Sequence, residues 1–273
     1  MEAHEAVALA RHAMEQRAHI IAELGFGVRK VGEEVHGEGS VVPEMWTPGT
    51  RCVRTAILAT WVDIVAGHLA VGSFAPRVPV TLELDVHLYR PPEGFRAVEV
   101  TGRVLKAGRS VVVLGLELHD DHGEVFGFGH GSFVAAPNPA LRMPELPRNF
   151  EALQRRAPTL QVPFAARARC QRREPGVATL ERSDDGLNAS GTVNGGLLAL
   201  VAEEAALSLT PGVALSSMAI RYLQPVRRGP AVARAEVHRG VGRVEVRDAG
   251  ADGRLAVVAI TRAFDGAAGP PVP

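Results

Sequence analysis

The stretch Asn188-Ala-Ser-Gly191-Thr-Val-Asn194-Gly195-Gly196-Leu-Leu-Ala-Leu-Val-Ala-Glu203 decides how this chain is read, because a worn copy of it stands 140 residues earlier. That copy runs Pro48-Gly-Thr-Arg51-Cys-Val-Arg54-Thr55-Ala56-Ile-Leu-Ala-Thr-Trp-Val-Asp63. Aligned without a gap, the two end in a carboxylate at the same place, Asp63 and Glu203. Only the later copy keeps the Asn and the Gly-Gly pair. Each half has what the other has lost, as expected when two halves share one active site.

The likeness continues downstream. Leu88-Tyr89-Arg90-Pro91 matches Tyr222-Leu223-Gln224-Pro225, and Lys106-Ala-Gly108-Arg109 matches Arg239-Gly240-Val241. His122-Gly123-Glu124 matches Asp252-Gly253-Arg254, and Phe133 corresponds to Phe264, with the offset drifting to about 130 as turn lengths differ. A repeat this long is a duplicated domain, since solenoid periods are ~20–50 residues.

Composition sets the outer bounds. The 273 residues suit one or two domains, and 46% hydrophobic with 22% charged residues is ordinary for a globular chain. A formal net charge of zero argues against nucleic acid or a membrane surface as partner, both of which reward a basic field. The basic residues are almost all Arg, which points to a GC-rich bacterial genome. Two cysteines, Cys52 and Cys170, are too few for a disulfide framework and place the chain in a reducing cytoplasm. No uninterrupted apolar run marks a signal peptide, and none approaches the ~18–20 residues that span a bilayer.

Periodicity divides the chain into five parts. Residues 1–24 carry an apolar helical stripe at Val7, Ala10, Met14, Ala18 and Ile21, suited to packing on the core or on a second copy of the chain. Residues 25–136 form a first unit: short strands in Gly25–Met45, an all-apolar buried helix over Val53–Val71, then strands at Val78–Tyr89, Phe95–Leu105, Ser110–His119 and Val125–Val134. In Val78–Tyr89, Val80, Leu82, Leu84, Val86 and Leu88 alternate with Thr81, Glu83, Asp85 and His87, the period of a half-exposed strand. Residues 137–163 hold six prolines and read as a linker, with room for a short helix at Phe150–Arg156. Residues 164–265 repeat the order of the first unit, with a helix over Thr192–Leu209, and 266–273 form a Gly/Pro tail. A helix apolar on all sides followed by antiparallel strands predicts an α+β fold, each sheet wrapped around its helix.

The motif Asn188-x-x-Gly191-x-x-Asn194-Gly195-Gly196-x6-Glu203 resembles the signature of PaaI-like acyl-CoA thioesterases of the hotdog superfamily, usually Asn-x-x-Gly-x-x-His-Gly-Gly-x6-Asp/Glu. The resemblance covers Gly25 to Phe264 and implies two tandem hotdog units forming a pseudo-dimer. It also implies an active site between units, one giving the Asn and Gly at the helix start, the other giving the acid and a hydroxyl. Carried over by position, one site joins Asn188, Asn194 and Gly195 to Asp63 and Thr81. The other joins Pro48, Arg54 and Thr55 to Glu203 and Leu215, and lacks both glycines and the hydroxyl. Asn194 departs from the pattern by replacing the usual His.

Physical chemistry favours the first site. A helix N-terminus offers free N–H groups and a positive dipole end to an oxyanion, and glycine lets a carbonyl approach. Asp63 would activate water or attack directly, Thr81 would hold the acid or the water, and Asn188 would orient the water or the carbonyl. Glu203 is the runner-up acid. Gly196 and the pair Arg227 and Arg228 are candidate substrate contacts, the arginines for the phosphates of coenzyme A. Plainer roles stand beside these: a turn for Asn188, helix–sheet contact for Gly195-Gly196, strand propensity for Thr81, solubility for the arginines.

Two other features point away from separate chemistry. His119-Asp120-Asp121-His122 reads as a solvated hairpin and not a metal site, because adjacent residues at a turn point apart. Gly127-Phe-Gly129-His-Gly131 lacks the strand–turn–helix setting of a dinucleotide fingerprint. The expectation is thioester hydrolysis by water, with no metal or redox cofactor and coenzyme A entering only as part of the substrate. A catalytically silent acyl-CoA-binding protein is the alternative. A hydratase is disfavoured, since no Asp-plus-His pair accompanies Asp63 or Glu203.

Overall fold

A computed structural model describes residues 19–143 and 157–264. Twelve strands form one antiparallel sheet in the order β1-β2-β4-β5-β6-β3-β9-β12-β11-β10-β8-β7. The first unit supplies β1 (Gly27–Val31), β2 (Glu34–Ser40), β3 (Pro79–Leu88), β4 (Ala97–Ala107), β5 (Val112–Asp120) and β6 (Val125–Ala135). The second supplies β7 (Cys170–Glu174), β8 (Val177–Leu180), β9 (Leu215–Tyr222), β10 (Ala231–His238), β11 (Val241–Asp248) and β12 (Arg254–Ala263). With each strand of the first unit exchanged for its counterpart, the order reads the same from both ends. This is the pseudo-twofold symmetry of a double hotdog.

The seam lies between β3 and β9, paired from Glu83↔Arg221 to His87↔Ser217. Joining there gives each unit a neighbour for a strand that would otherwise be an open edge. Arg221 fastens the seam, its Nε 2.9 Å from Glu83 and its Nη1 2.6 Å from Asp85.

Helix α1 (Thr55–Phe74) and helix α3 (Gly195–Leu207) are the two core helices, with a single turn, α2 (Phe164–Arg167), between them in sequence. Both are apolar around their circumference because sheet covers one side and the other helix part of the rest. Ile57, Leu58, Trp61, Val62 and Val65 of α1 are fully buried. Each such side chain contributes ~1.5–3 kcal/mol of burial, so the helices anchor the fold. Glycines on β6 bring helix and sheet together: a Cβ at Gly129 would come 3.0 Å from Val62 and one at Gly131 3.5 Å from Ala66. That is the role of the glycine-rich segment on β6.

Some expectations need correcting. α1 is long and apolar enough to cross a membrane, 20 residues with a mean hydropathy of 1.5 over its best window, contrary to the sequence expectation that no run reaches that length. It is nevertheless a core helix, 56% of that window being buried inside the protein. The helices begin at Thr55 and Gly195, later than Val53 and Thr192, because Val53 and Val193 are held extended in bridges to Trp46 and Leu187. The proposed helix at Phe150–Arg156 and most of the 1–24 stripe lie outside the described residues. Within 19–24, Ile20 and Leu24 enter the core and the backbone makes a 3-10 turn at Ala22–Leu24.

Candidate active site

The N-terminus of α3 and the middle of α1 meet where the two helices cross. A Cβ on Gly196 would run into Thr60 Oγ1, one turn before Asp63, so only glycine permits this approach. Asn194 is the N-cap of α3, and its side-chain Oδ1 accepts the Gly196 N–H at 2.8 Å. The Gly195 N–H finds no acceptor among the described residues. A free donor thus stands at the positive end of the helix, beside an Asn whose amide nitrogen, given that Oδ1 is engaged, faces away from the cap.

Asp63 supplies the acid. Its Oδ1 accepts the Thr81 hydroxyl at 2.8 Å, and no Lys, Arg or His pairs with it among the described residues. Burial raises its carboxyl from the ordinary 3.8 to about 6, against the opposing pull of the Thr81 hydroxyl. Thr81 reaches Asp63 through a β-bulge. Register with β6 slips between Thr81↔Phe133 and Glu83↔Ser132, leaving Leu82 unpaired and 39% exposed. The extra residue turns Thr81 toward the helix, although strict alternation groups it with the outward-facing Glu83, Asp85 and His87.

The matching positions in the other copy are built differently. Arg54, counterpart of Asn194, places its Nη1 3.0 Å from Glu203 and 2.6 Å from Glu204. Glu203, counterpart of Asp63, accepts the Ala56 N–H at 3.1 Å, the donor matching Gly196 N–H. Thr55 donates its hydroxyl to the Leu215 carbonyl at 2.8 Å. Burial pushes the Glu203 carboxyl up while Arg54 pulls it back toward the ionised form. Arg54, Thr55, Glu203 and Leu215 are sealed from solvent, whereas Asp63, Thr81, Asn194 and Gly195 all keep partial access. One copy is a closed ion pair. The other has a partly exposed acid with no cation beside it.

The remaining sequence candidates lie on the loops near the start of α3 or in their own turns. Asn188 uses Oδ1 to accept the Ser190 N–H, the Thr192 N–H and the Thr192 hydroxyl at 2.9–3.2 Å, so it shapes the loop into α3 while its amide nitrogen remains a donor. Arg227 and Arg228 are exposed on a loop whose backbone N–H groups, with that of Gly229, converge on the Asp248 carboxylate at 2.8–3.2 Å. That loop abuts the entrance to α3, the Val193 N–H donating to the Val226 carbonyl at 3.0 Å. Asp120 closes the hairpin by accepting the N–H groups of His122 and Glu124. No cluster of three metal-ligating side chains occurs among the described residues.

Sequence reasoning missed Tyr222. It lies against Gly195, where a Cβ would stand 3.3 Å from the phenol oxygen, and its hydroxyl donates to the Gly195 carbonyl at 3.2 Å. Burial, reinforced by the nearby negative charge of Asp63, raises the phenol well above its ordinary value, so it stays a neutral donor. Tyr222 aligns with Leu88 in the repeat, and that polar-for-apolar difference on the side of the intact motif is the available signal.

Comparison with known proteins gives the same frame. The family described as "Thioesterase superfamily" matches residues 55–126, and that described as "Acyl-CoA thioesterase N-terminal domain" matches residues 183–264. The chain belongs to the thioesterase superfamily. Its two hotdog units are the two matched regions with their flanking strands, and thioester hydrolysis is the reaction class that membership supports. Among solved structures, this thioesterase is similar to an acyl-ACP thioesterase from Bacteroides thetaiotaomicron at 13% identity, TM-score 0.60, covering 85% of this chain and 98% of that one. A 12:0-ACP thioesterase from Umbellularia californica gives 16%, TM-score 0.60, and coverage of 86% and 98%. A TesB protein from Mycobacterium avium subsp. paratuberculosis gives 14%, TM-score 0.60, and coverage of 90% and 97%. At such identities the likeness concerns the fold. No curated protein is similar enough to the chain to count as a match.

Proposed function

We propose that this thioesterase hydrolyses acyl-CoA thioesters at one composite site, with Asp63 as the base that activates water. The observation that carries this reading is the contrast between the copies: Glu203 is paired with Arg54, while Asp63 is held only by Thr81 and lies near enough to Tyr222, the phenol resting on Gly195, for its charge to act there. A carboxyl near about 6 is ionised at neutral pH yet basic enough to take a proton from water. The water oxygen adds to the thioester carbon as Asp63 takes its proton, and the carbonyl oxygen becomes an oxyanion facing the Gly195 N–H and the Asn194 amide. Collapse breaks the C–S bond, and the departing thiolate takes the proton back from Asp63. The products are a carboxylic acid and a thiol. No step calls for a metal or a redox group.

Coenzyme A as the carrier rests on Arg227 and Arg228 at the mouth of the helix entrance. Both are exposed on the loop that abuts the start of α3. Such a basic rim suits the phosphates of a nucleotide-bearing thioester.

The test is a hydrolysis screen over short, long and aromatic acyl groups, each presented on coenzyme A, on acyl carrier protein and on N-acetylcysteamine. Turnover best on coenzyme A is expected. Turnover only on the carrier protein would reassign the substrate. Saturable binding with no turnover on any carrier would replace the enzyme by a silent acyl-CoA binder.

A further inference from the structure

We infer that Tyr222 is a positioning residue for the oxyanion donors, acting through the Gly195–Gly196 peptide to fix the Asn194 amide; the inference rests on the hydrolytic reading above. Two hydrogen bonds joined by one peptide form a relay. The Tyr222 hydroxyl donates to the Gly195 carbonyl at 3.2 Å, that carbonyl belongs to the peptide whose N–H is on Gly196, and this N–H donates to Asn194 Oδ1 at 2.8 Å. Hydrogen bonds in series polarise one another, so a donor on the carbonyl strengthens the N–H at the other end of the same peptide. With Oδ1 taken by the Gly196 N–H, the Asn194 Nδ2–H2 group is left as a donor at the same helix start as the Gly195 N–H. The pair forms a two-donor cradle for the carbonyl oxygen of a thioester.

The other copy supports the assignment by contrast. There the Ala56 N–H goes to Glu203, no amide caps the helix, and the place of Tyr222 is taken by Leu88, which has no hydroxyl to donate. Tyrosine and asparagine therefore occur together, and on the side where the helix start keeps partial access to solvent. The ring also restricts what fits at position 195. A methyl group there would press on the phenol at 3.3–3.4 Å, so Gly195 and Tyr222 specify each other. The phenol does not exchange a proton with substrate; it orients a group that touches substrate.

The experiment is a double-mutant cycle of Tyr222→Phe and Asn194→Ala, read as kcat and KM on the best acyl-CoA substrate, with thermal unfolding to normalise each variant to folded enzyme. Tyr222→Phe keeps the ring and is expected to lower kcat about tenfold with KM within about twofold. The acid limb near about 6 should persist in the variant, because Asp63 still carries the proton transfer. In the Asn194→Ala background the same change should cost nothing further, since the relay has lost its last member. Additive losses in the double variant, a rise in KM with kcat intact, or full activity of Tyr222→Phe would each overturn the inference. A wild type inactive on every thioester would instead overturn the hydrolytic reading on which it rests.

Discussion

At position 63 a carboxylate has one hydroxyl to lean on and no guanidinium, and both its reactivity and its cost follow from that. Its folded-state value of about 6 lies above the ordinary 3.8. The sign is that of a group the fold prefers protonated: no penalty exists below 3.8, and the full penalty is present above about 6. The difference corresponds to at most roughly 3 kcal/mol, and less after discounting for partial exposure. Asp63→Asn should therefore raise the thermal midpoint at pH 7 while lowering kcat by ~10²–10⁴, with the gain in stability vanishing near pH 4. Wild-type kcat/KM should rise with pH through about 6 and then level off. Thr81→Ala removes the hydrogen bond that favours the ionised acid, so the acid limb of its pH profile should move upward from there; an unmoved limb would show that Thr81 does not govern Asp63.

At the scale of elements, the helix crossing and the β3 bulge shape the proposed site, and neither was legible in the sequence. Gly195-Gly196 reads as room for a carbonyl or for helix–sheet contact, whereas Gly196 meets Thr60 of the other core helix. Gly196→Ala should press a methyl into Thr60 and cost about 1–3 kcal/mol of stability, with a larger loss of activity than of folded protein, measurable by urea unfolding alongside kcat/KM. The bulge at Leu82 was not legible. Alternation alone places Thr81 outward, and the slip depends on how β3 pairs with β6, a partner some 50 residues away in sequence. The helix starts were read early for a similar reason: the bridges holding Val53 and Val193 extended are tertiary contacts. Opposite the proposed site, Arg54 bonds two buried acids, and removing it leaves Glu203 without its cation while Glu204 keeps Arg172. Arg54→Ala should cost about 3–5 kcal/mol in unfolding experiments while leaving kcat per folded molecule nearly unchanged.

At the scale of the molecule, duplication gave two potential sites, and divergence left one open and converted the other into a buried ion pair. The strand order, the seam and the pairing of each helix start with the acid of the other unit follow from the repeat, which is why so much of the fold could be read from an offset of 140 residues. Candidate site residues could be named where they rest on the repeated motif. Tyr222 was harder to read, because a tyrosine where the repeat has Leu88 does not say what its hydroxyl touches until it is seen on the Gly195 carbonyl. The central claim is that Asp63, not Glu203, serves the α3 N-terminus. The most direct test compares kcat/KM of Asp63→Asn and Glu203→Gln on one acyl-CoA thioester, each corrected for folded fraction. The account predicts a loss of ~10²–10⁴-fold for Asp63→Asn and retention of most activity per folded molecule for Glu203→Gln. The reverse pattern would contradict it.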